Sequence, residues 1–230
     1  MRIIKVITNL LINPKSALRY IFLKRINKSL KIKFIKTYKI DKYLKNKLLF
    51  EPQYYDLENL INLIKIIKPK YVLELGGGFS TIAICYALQY NYEKHGIKGK
   101  LISYDQSKYY LNLTKKIIPE KLSKYVKFQY SQLKLIKYKG LRVSIFKNIL
   151  EKNYNLIYED RFDHKKTRIG ADIIFLEKKM KSNCSFVVDG HKYIVEFLKK
   201  NLKKKYEIEN SKIFFRTNFV NYNHINERKI

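Results

Sequence analysis

From residue 53 onward, short apolar runs alternate with segments whose apolar positions recur every three to four residues. Leu57, Leu60, Ile61, Ile64 and Ile67 share one helical face. Lys68-Pro69-Lys70 ends that helix, because proline lacks the N–H that a further turn needs. Tyr71-Val72-Leu73-Glu74-Leu75 then reads as a short buried strand and Gly76-Gly77-Gly78 as a tight turn. Ser80 is expected to cap the apolar helix that follows, and Gly96 and Gly99 to close it. The same reading gives a second strand over 101–105, a helix ending near Pro119 and a third strand over 125–130. An irregular insertion is expected over 133–149, then a fourth strand over 154–158 and a helix over about 167–180. A fifth strand covers 185–189, a helix follows His191, and two strands with a turn near Asn210-Ser211 fill 206–220.

Strands separated by helices imply parallel crossovers and an open sheet covered on both faces. The closing strand pair breaks that alternation and predicts an antiparallel edge. The expected fold is therefore α/β, with a doubly wound, mostly parallel seven-stranded sheet over residues 51–230. Residues 1–50 are expected to form a basic helical extension. In it, Ile3, Val6, Ile7, Leu10 and Leu11 share one face, and Asn13-Pro14 reads as a cap followed by proline at the first helical position. A second segment places Leu18, Ile21, Phe22 and Ile26 on one side, with Lys15, Arg19 and Lys28 elsewhere.

Composition changes this picture in a few respects. With 46% hydrophobic residues in 230, a sizeable core is expected and disorder is not. The formal charge of +30 favours anionic partners, although joint richness in Lys, Ile, Asn and Tyr is also what an AT-biased genome produces. A basic amphipathic arm suits an anionic membrane surface, so residues 1–50 are the candidate contact with one. The two cysteines, Cys85 and Cys184, match no metal-ligand spacing and no disulfide framework. No apolar run approaches the length of a membrane span, and Lys5 interrupts the first one, with no small-residue cleavage site after it. A cytoplasmic protein, peripheral on the inner membrane face, is the expectation.

In an open α/β sheet, ligands bind at the carboxyl ends of strands near the point where strand order reverses. The first such end is Glu74-Leu75-Gly76-Gly77-Gly78-Phe79-Ser80. Glycines let a ligand approach the main chain, and the helix start offers free N–H groups to a carboxylate or phosphate. Dinucleotide enzymes require a third glycine in G-x-G-x-x-G, where this chain has Thr81.

An acidic residue two before the first glycine, at the end of a hydrophobic strand, closely resembles the first motif of class I S-adenosylmethionine-dependent methyltransferases. The resemblance covers roughly residues 53–220, by strand order rather than identity. It implies S-adenosylmethionine as cofactor, with Glu74, Gly76, Gly77, Gly78 and Ser80 around its methionine part. It also implies that Asp105, ending the second strand, accepts the ribose hydroxyls. At the adenine position the chain has Tyr130-Ser131-Gln132, where the family usually has an acidic or polar residue.

The acceptor is read from the later strands. Tyr158-Glu159-Asp160-Arg161-Phe162 lacks the proline-rich turn of enzymes that methylate exocyclic amines of bases, and Asn183-Cys184-Ser185 lacks the context of a catalytic RNA cytosine-5 cysteine. Asp160 after strand four and Asp189-Gly190-His191 after strand five are instead similar to small-molecule and sugar O-methyltransferases. The expected activity is O-methylation of a sugar, a glycan or another small polar acceptor. Asp160, His164, Asp189 and His191 are the candidate catalytic residues, which could also hold a divalent cation. Arg161 and Arg168 are the candidates for an acidic group of the substrate. The alternatives are an RNA methyltransferase, with lysines tracking phosphates, and a non-catalytic interaction module on the same fold. Nucleic acid is the less favoured partner.

Overall fold

Proline at position 14 supplies a fixed φ and no N–H, and a helix starts there in the computed structural model of the chain: α1 covers Pro14–Tyr38 and α2 covers Tyr54–Ile67. The structure describes residues 14–38, 52–161, 169–177, 180, 184–189, 192–204, 206–210 and 216–221. The first amphipathic segment and Asn13 lie outside them. The chain divides into two compact units, Met1–Asn59 and Leu60–Ile230.

Within the first unit, the expected stripe through Phe22 and Ile26 is not the one that orders α1. Phe22 is exposed and Ile26 half-buried, whereas Phe34 is buried edge-on against Tyr54, with ring centroids 5.8 Å apart. Two turns before Phe34, Asn27 Oδ1 accepts the Tyr54 N–H at 2.7 Å, and Lys33, next to Phe34, pairs with Glu58 at 2.8 Å. The Asn27 amide thus satisfies an orphan donor at the start of α2, a task no apolar stripe could perform.

Among the described residues of the second unit, seven strands form one sheet: β1 Tyr71–Leu75, β2 Lys100–Asp105, β3 Val126–Tyr130, β6 Leu156–Glu159, β8 Ser185–Asp189, β9 Tyr206–Asn210 and β10 Arg216–Asn221. Their order is β3-β2-β1-β6-β8-β10-β9. The first five are parallel, and β10 and β9 close the edge antiparallel. The unit's described helices are α3 Phe79–His95, α4 Lys108–Ile117, α5 Glu120–Ser123, α6 Asp172–Glu177 and α7 Lys192–Asn201. Val72, Leu73, Leu75, Ile157, Val187 and Val188 have no exposed surface, which is why these strands read as continuous apolar runs. Gly96 ends α3 in the left-handed conformation that glycine adopts freely.

Two expectations fail here. Residues 133–149 are not irregular: β4 Leu133–Tyr138 and β5 Leu141–Phe146 form an antiparallel hairpin. Lys139 and Gly140 turn it, with φ of 49° and 80°. Two consecutive positive φ values match the right-handed twist of the flanking strands. The helix expected over 167–180 is likewise shorter. Ile169–Gly170 forms strand β7, parallel to β5, in a second sheet of order β4-β5-β7, and α6 starts after it. Val143 and Phe146 enter the same apolar cluster as Leu75, Ile157, Phe186 and Ile194, so the stretch read as an irregular insertion covers part of a sheet face.

Candidate functional site

Strand order reverses between β1 and β6: the chain moves outward from β1 through β2 to β3, then returns to β6 on the other side. Leu75 is in register with Tyr104 on one side and Glu159 on the other, and Glu159 with Val188. One residue further along each strand, Asp105, Gly76, Asp160 and Asp189 therefore form a row across the carboxyl edge of the sheet. The structure brings together the two carboxylates expected on the acceptor side and the one expected on the donor side.

Gly76 has φ +97°, and a Cβ there would lie 2.6 Å from the Asp160 carbonyl oxygen and 2.9 Å from the Arg161 Cα. Only glycine fits at this contact between the first loop and the strand-six end. At Gly78 a Cβ would meet nothing within 4 Å, so the loop is open on that side. Gly78 is also the residue that precedes α3, which corrects the assignment of Ser80 as cap. Ser80 lies inside the first turn, and its hydroxyl donates to Glu74 at 2.7 Å.

Glu74 is wholly buried beneath the loop, with no surface from which to touch a ligand. Its carboxylate accepts from the hydroxyls of Ser80, Thr81 (2.7 Å) and Ser103 (2.6 Å). Burial pushes its pKa up to about 7, against the lowering effect of those three hydrogen bonds. Thr81 also accepts the Gly78 N–H at 3.1 Å, which ties the loop to Glu74. The residue that departs from the dinucleotide pattern is thus the one that shapes this loop, and a glycine there could do neither job.

Asp105 is buried at the end of β2 and accepts the Ser107 N–H at 2.7 Å, with a second bond from the Gly77 N–H. Burial raises its pKa and the two main-chain donors counter this. On the other side of the switch point, Asp160 is exposed, Asp189 is half-buried, and Tyr158 donates its hydroxyl to Asp189 Oδ2 at 2.7 Å.

Arg161 does not face an acceptor. It is 2% exposed, and its guanidinium donates to Glu159 at 3.0 and 3.1 Å and to Asp172 at 2.6 Å, 4.8 Å from the centre of the Phe146 ring. The assignment of Arg161 to substrate is therefore corrected: two buried carboxylates take its Nε and Nη2, and its Nη1 is buried as well. Asp172 Oδ1 also accepts the Phe146 N–H at 2.8 Å, which links β6, α6 and the hairpin. Gly170 leaves room for this group, since a Cβ there would come 2.7 Å from Arg161 Nη2.

His164, Arg168 and His191 lie outside the described residues. Among those described, no group of three or more His, Cys, Asp or Glu could hold a metal ion, and no helix is long and apolar enough to cross a membrane. Thr81, Ser103, Tyr158 and Asp172 carry structural roles that the sequence reading missed. Ser103 had a signal, as the lone polar residue between Ile102 and Tyr104 in a buried strand.

No protein-family model and no curated protein sequence matches the chain. Its structure is similar to that of an SAH-bound methyltransferase from Podospora anserina, at 12% identity and a TM-score of 0.52, over 74% of this chain and 79% of that one. It is also similar to a methyltransferase from Geobacter sulfurreducens, at 10% identity and a TM-score of 0.52, over 80% of this chain and 87% of the other. At such identities the likeness establishes the fold, which is that of the class I methyltransferases.

Proposed function

We propose that this chain is an S-adenosylmethionine-dependent O-methyltransferase whose acceptor is a sugar, a glycan or another small polar molecule. The observation that carries the reading is the row Asp105, Gly76, Asp160 and Asp189 along the sheet edge, with the glycine loop seated on the strand-six end. The structural relatives that are methyltransferases, one of them SAH-bound, support it.

The residues present fit such a donor. The loop is open at Gly78, where the start of α3 offers main-chain N–H groups to a carboxylate. A buried carboxylate at Asp105 suits a pair of ribose hydroxyls. When bound, the donor supplies an electrophilic methyl group on a sulfonium. The protein's task is to align an acceptor oxygen with it, exclude water and remove the hydroxyl proton. Asp160 is the proposed base. Asp189, held by the Tyr158 hydroxyl, orients the acceptor. His164 and His191, close after Asp160 and Asp189 in sequence, are proposed proton carriers. Arg168 is the proposed partner for an acidic group of the acceptor.

A glycan acceptor made at the inner membrane face fits the basic residues 1–50 as a membrane-surface arm. Transfer of a labelled methyl group to a panel of nucleotide sugars, small phenols and total RNA tests the acceptor class. The expected result is label in a hydroxylated small molecule, lowered roughly 10²–10⁴-fold by Asp160→Asn. Label confined to RNA would overturn it. The arm is tested by sedimentation with anionic vesicles, which deletion of residues 1–50 is expected to weaken.

A further inference from the structure

The structure assigns the hairpin β4–β5 as a docking surface for an anionic phospholipid membrane. The hairpin lies wholly within the second unit, and its surface is independent of methyl transfer.

From Ser131 to Leu150 the chain has no acidic residue, while Lys134, Lys137, Lys139, Arg142 and Lys147 fall on the ribbon. All five are exposed. Lys147 is spent on Gln132 at 2.7 Å, and Lys139 lies over the Tyr138 ring at 5.7 Å. Lys134, Lys137 and Arg142 make no ion pair among the described residues. Lys137 and Arg142 stand directly opposite each other in the ladder. Like charges at that spacing repel and weaken a hairpin, unless an anion sits between them. Among the described residues β4 is the outer strand of its sheet, so the pair lies at that sheet's edge.

The apolar residues between the cations decide which anion. Leu135 is 40% exposed and Leu141 47%, whereas of the ribbon's two aromatics Phe146 is buried and Tyr138 packs edge-on against Phe175 and Phe197 with centroids 5.7 and 5.9 Å away. A nucleic-acid surface uses exposed aromatic rings to stack bases, and this ribbon has turned its rings inward. Leu135 lies on the face of Lys137 and Arg142, and Leu141 stands at the hairpin tip on the other face, so the ribbon suits an interface entered tip-first, with the aliphatic side chains in the headgroup region and the cations at lipid phosphates. The ribbon leaves the main sheet beside Asp105, whose carbonyl accepts the Ser131 N–H at 3.2 Å. Such a surface would hold the enzyme to a membrane through its catalytic unit.

The test is co-sedimentation of the full chain with phosphatidylcholine vesicles, with and without phosphatidylserine, and with single-stranded RNA as competitor. The full chain is expected to bind the phosphatidylserine vesicles in a salt-sensitive way. The triple variant Lys137→Gln, Lys139→Gln, Arg142→Gln is expected to partition about a hundredfold more weakly, since each cation near an anionic surface contributes a factor of about five. Leu141→Gln keeps the charge and is expected to weaken binding several-fold, so a folding defect in one variant leaves the other to read. Donor affinity is the control and is expected to be unchanged in both. Equal partition of parent and variants would overturn the proposal, as would equal binding to vesicles without phosphatidylserine. Loss of RNA binding in the triple variant with vesicle binding retained would reassign the ribbon to nucleic acid.

Discussion

Glu74 and Glu159 lie on neighbouring strands, one residue out of register, so their side chains leave opposite faces of the sheet. Both are buried, yet the two faces solve the problem of a buried carboxylate differently. Beneath the glycine loop, three neutral hydroxyls surround Glu74. On the hairpin face, one guanidinium serves Glu159 and Asp172 together. Hydroxyls satisfy the hydrogen bonds but leave the charge uncompensated, and Glu74 titrates near neutrality. On the other face the Glu159 pKa is also raised by burial, and Arg161 pulls it back. The glycine loop therefore rests on a carboxyl surrounded by neutral hydroxyls, and the hairpin on carboxylates paired with a guanidinium.

The contrast breaks most severely at Arg161. Arg161→Met leaves two carboxylates buried without a counter-charge and is expected to cost about 3–5 kcal/mol in denaturant unfolding. A variant as stable as the parent would show that the ion pairs are not formed in solution. The Glu74 face is expected to show itself in pH dependence. A carboxyl whose pKa is raised on folding from 4.5 to about 7 contributes stability that is complete below pH 4.5 and lost as pH rises through 7. At about 1.4 kcal/mol per unit, the loss is on the order of 3 kcal/mol. Glu74→Gln is expected to flatten that slope, and an unchanged slope would place the titrating group elsewhere.

Smaller effects separate the glycines and the hydroxyls. Gly76→Ala combines a positive φ with backbone contacts under 3 Å, and about 1–3 kcal/mol of stability is expected to go, with donor binding lost as well. Ser103→Ala removes one donor to Glu74, about 1 kcal/mol, and is expected to move the titration of Glu74 upward. Gly78→Ala meets open space and is expected to leave stability within about 0.5 kcal/mol. A large loss at Gly78 would mean that the loop is closed in solution.

The strands of the main sheet were legible because local signals mark them. Lys68-Pro69 stops α2 before β1, and the acidic residues at 105 and 189 end two apolar runs. The hairpin was not, because Lys139-Gly140 lacks the usual Asn-Gly signature and its strands alternate imperfectly. Helical periodicity carried the reading of α6 through Gly170, where the real constraint is a guanidinium from another segment. Asp105, Asp160 and Asp189 were read at strand ends, and the structure places them there. Arg161 was misassigned because its fate depends on Asp172, eleven residues away, and no local pattern records that contact. Ser80 and Glu74 were read around a ligand at the glycine loop, but they flank the loop in α3 and β1 and hydrogen-bond each other beneath it.

The central claim is tested most directly by calorimetric titration of the full chain with S-adenosylmethionine and S-adenosylhomocysteine, with NAD as control. The account predicts micromolar binding of the first two, abolished by Gly76→Arg and weakened by Asp105→Ala, with no binding of NAD. No binding of either by the folded chain would contradict it, and would leave a methyltransferase fold that serves as an interaction module.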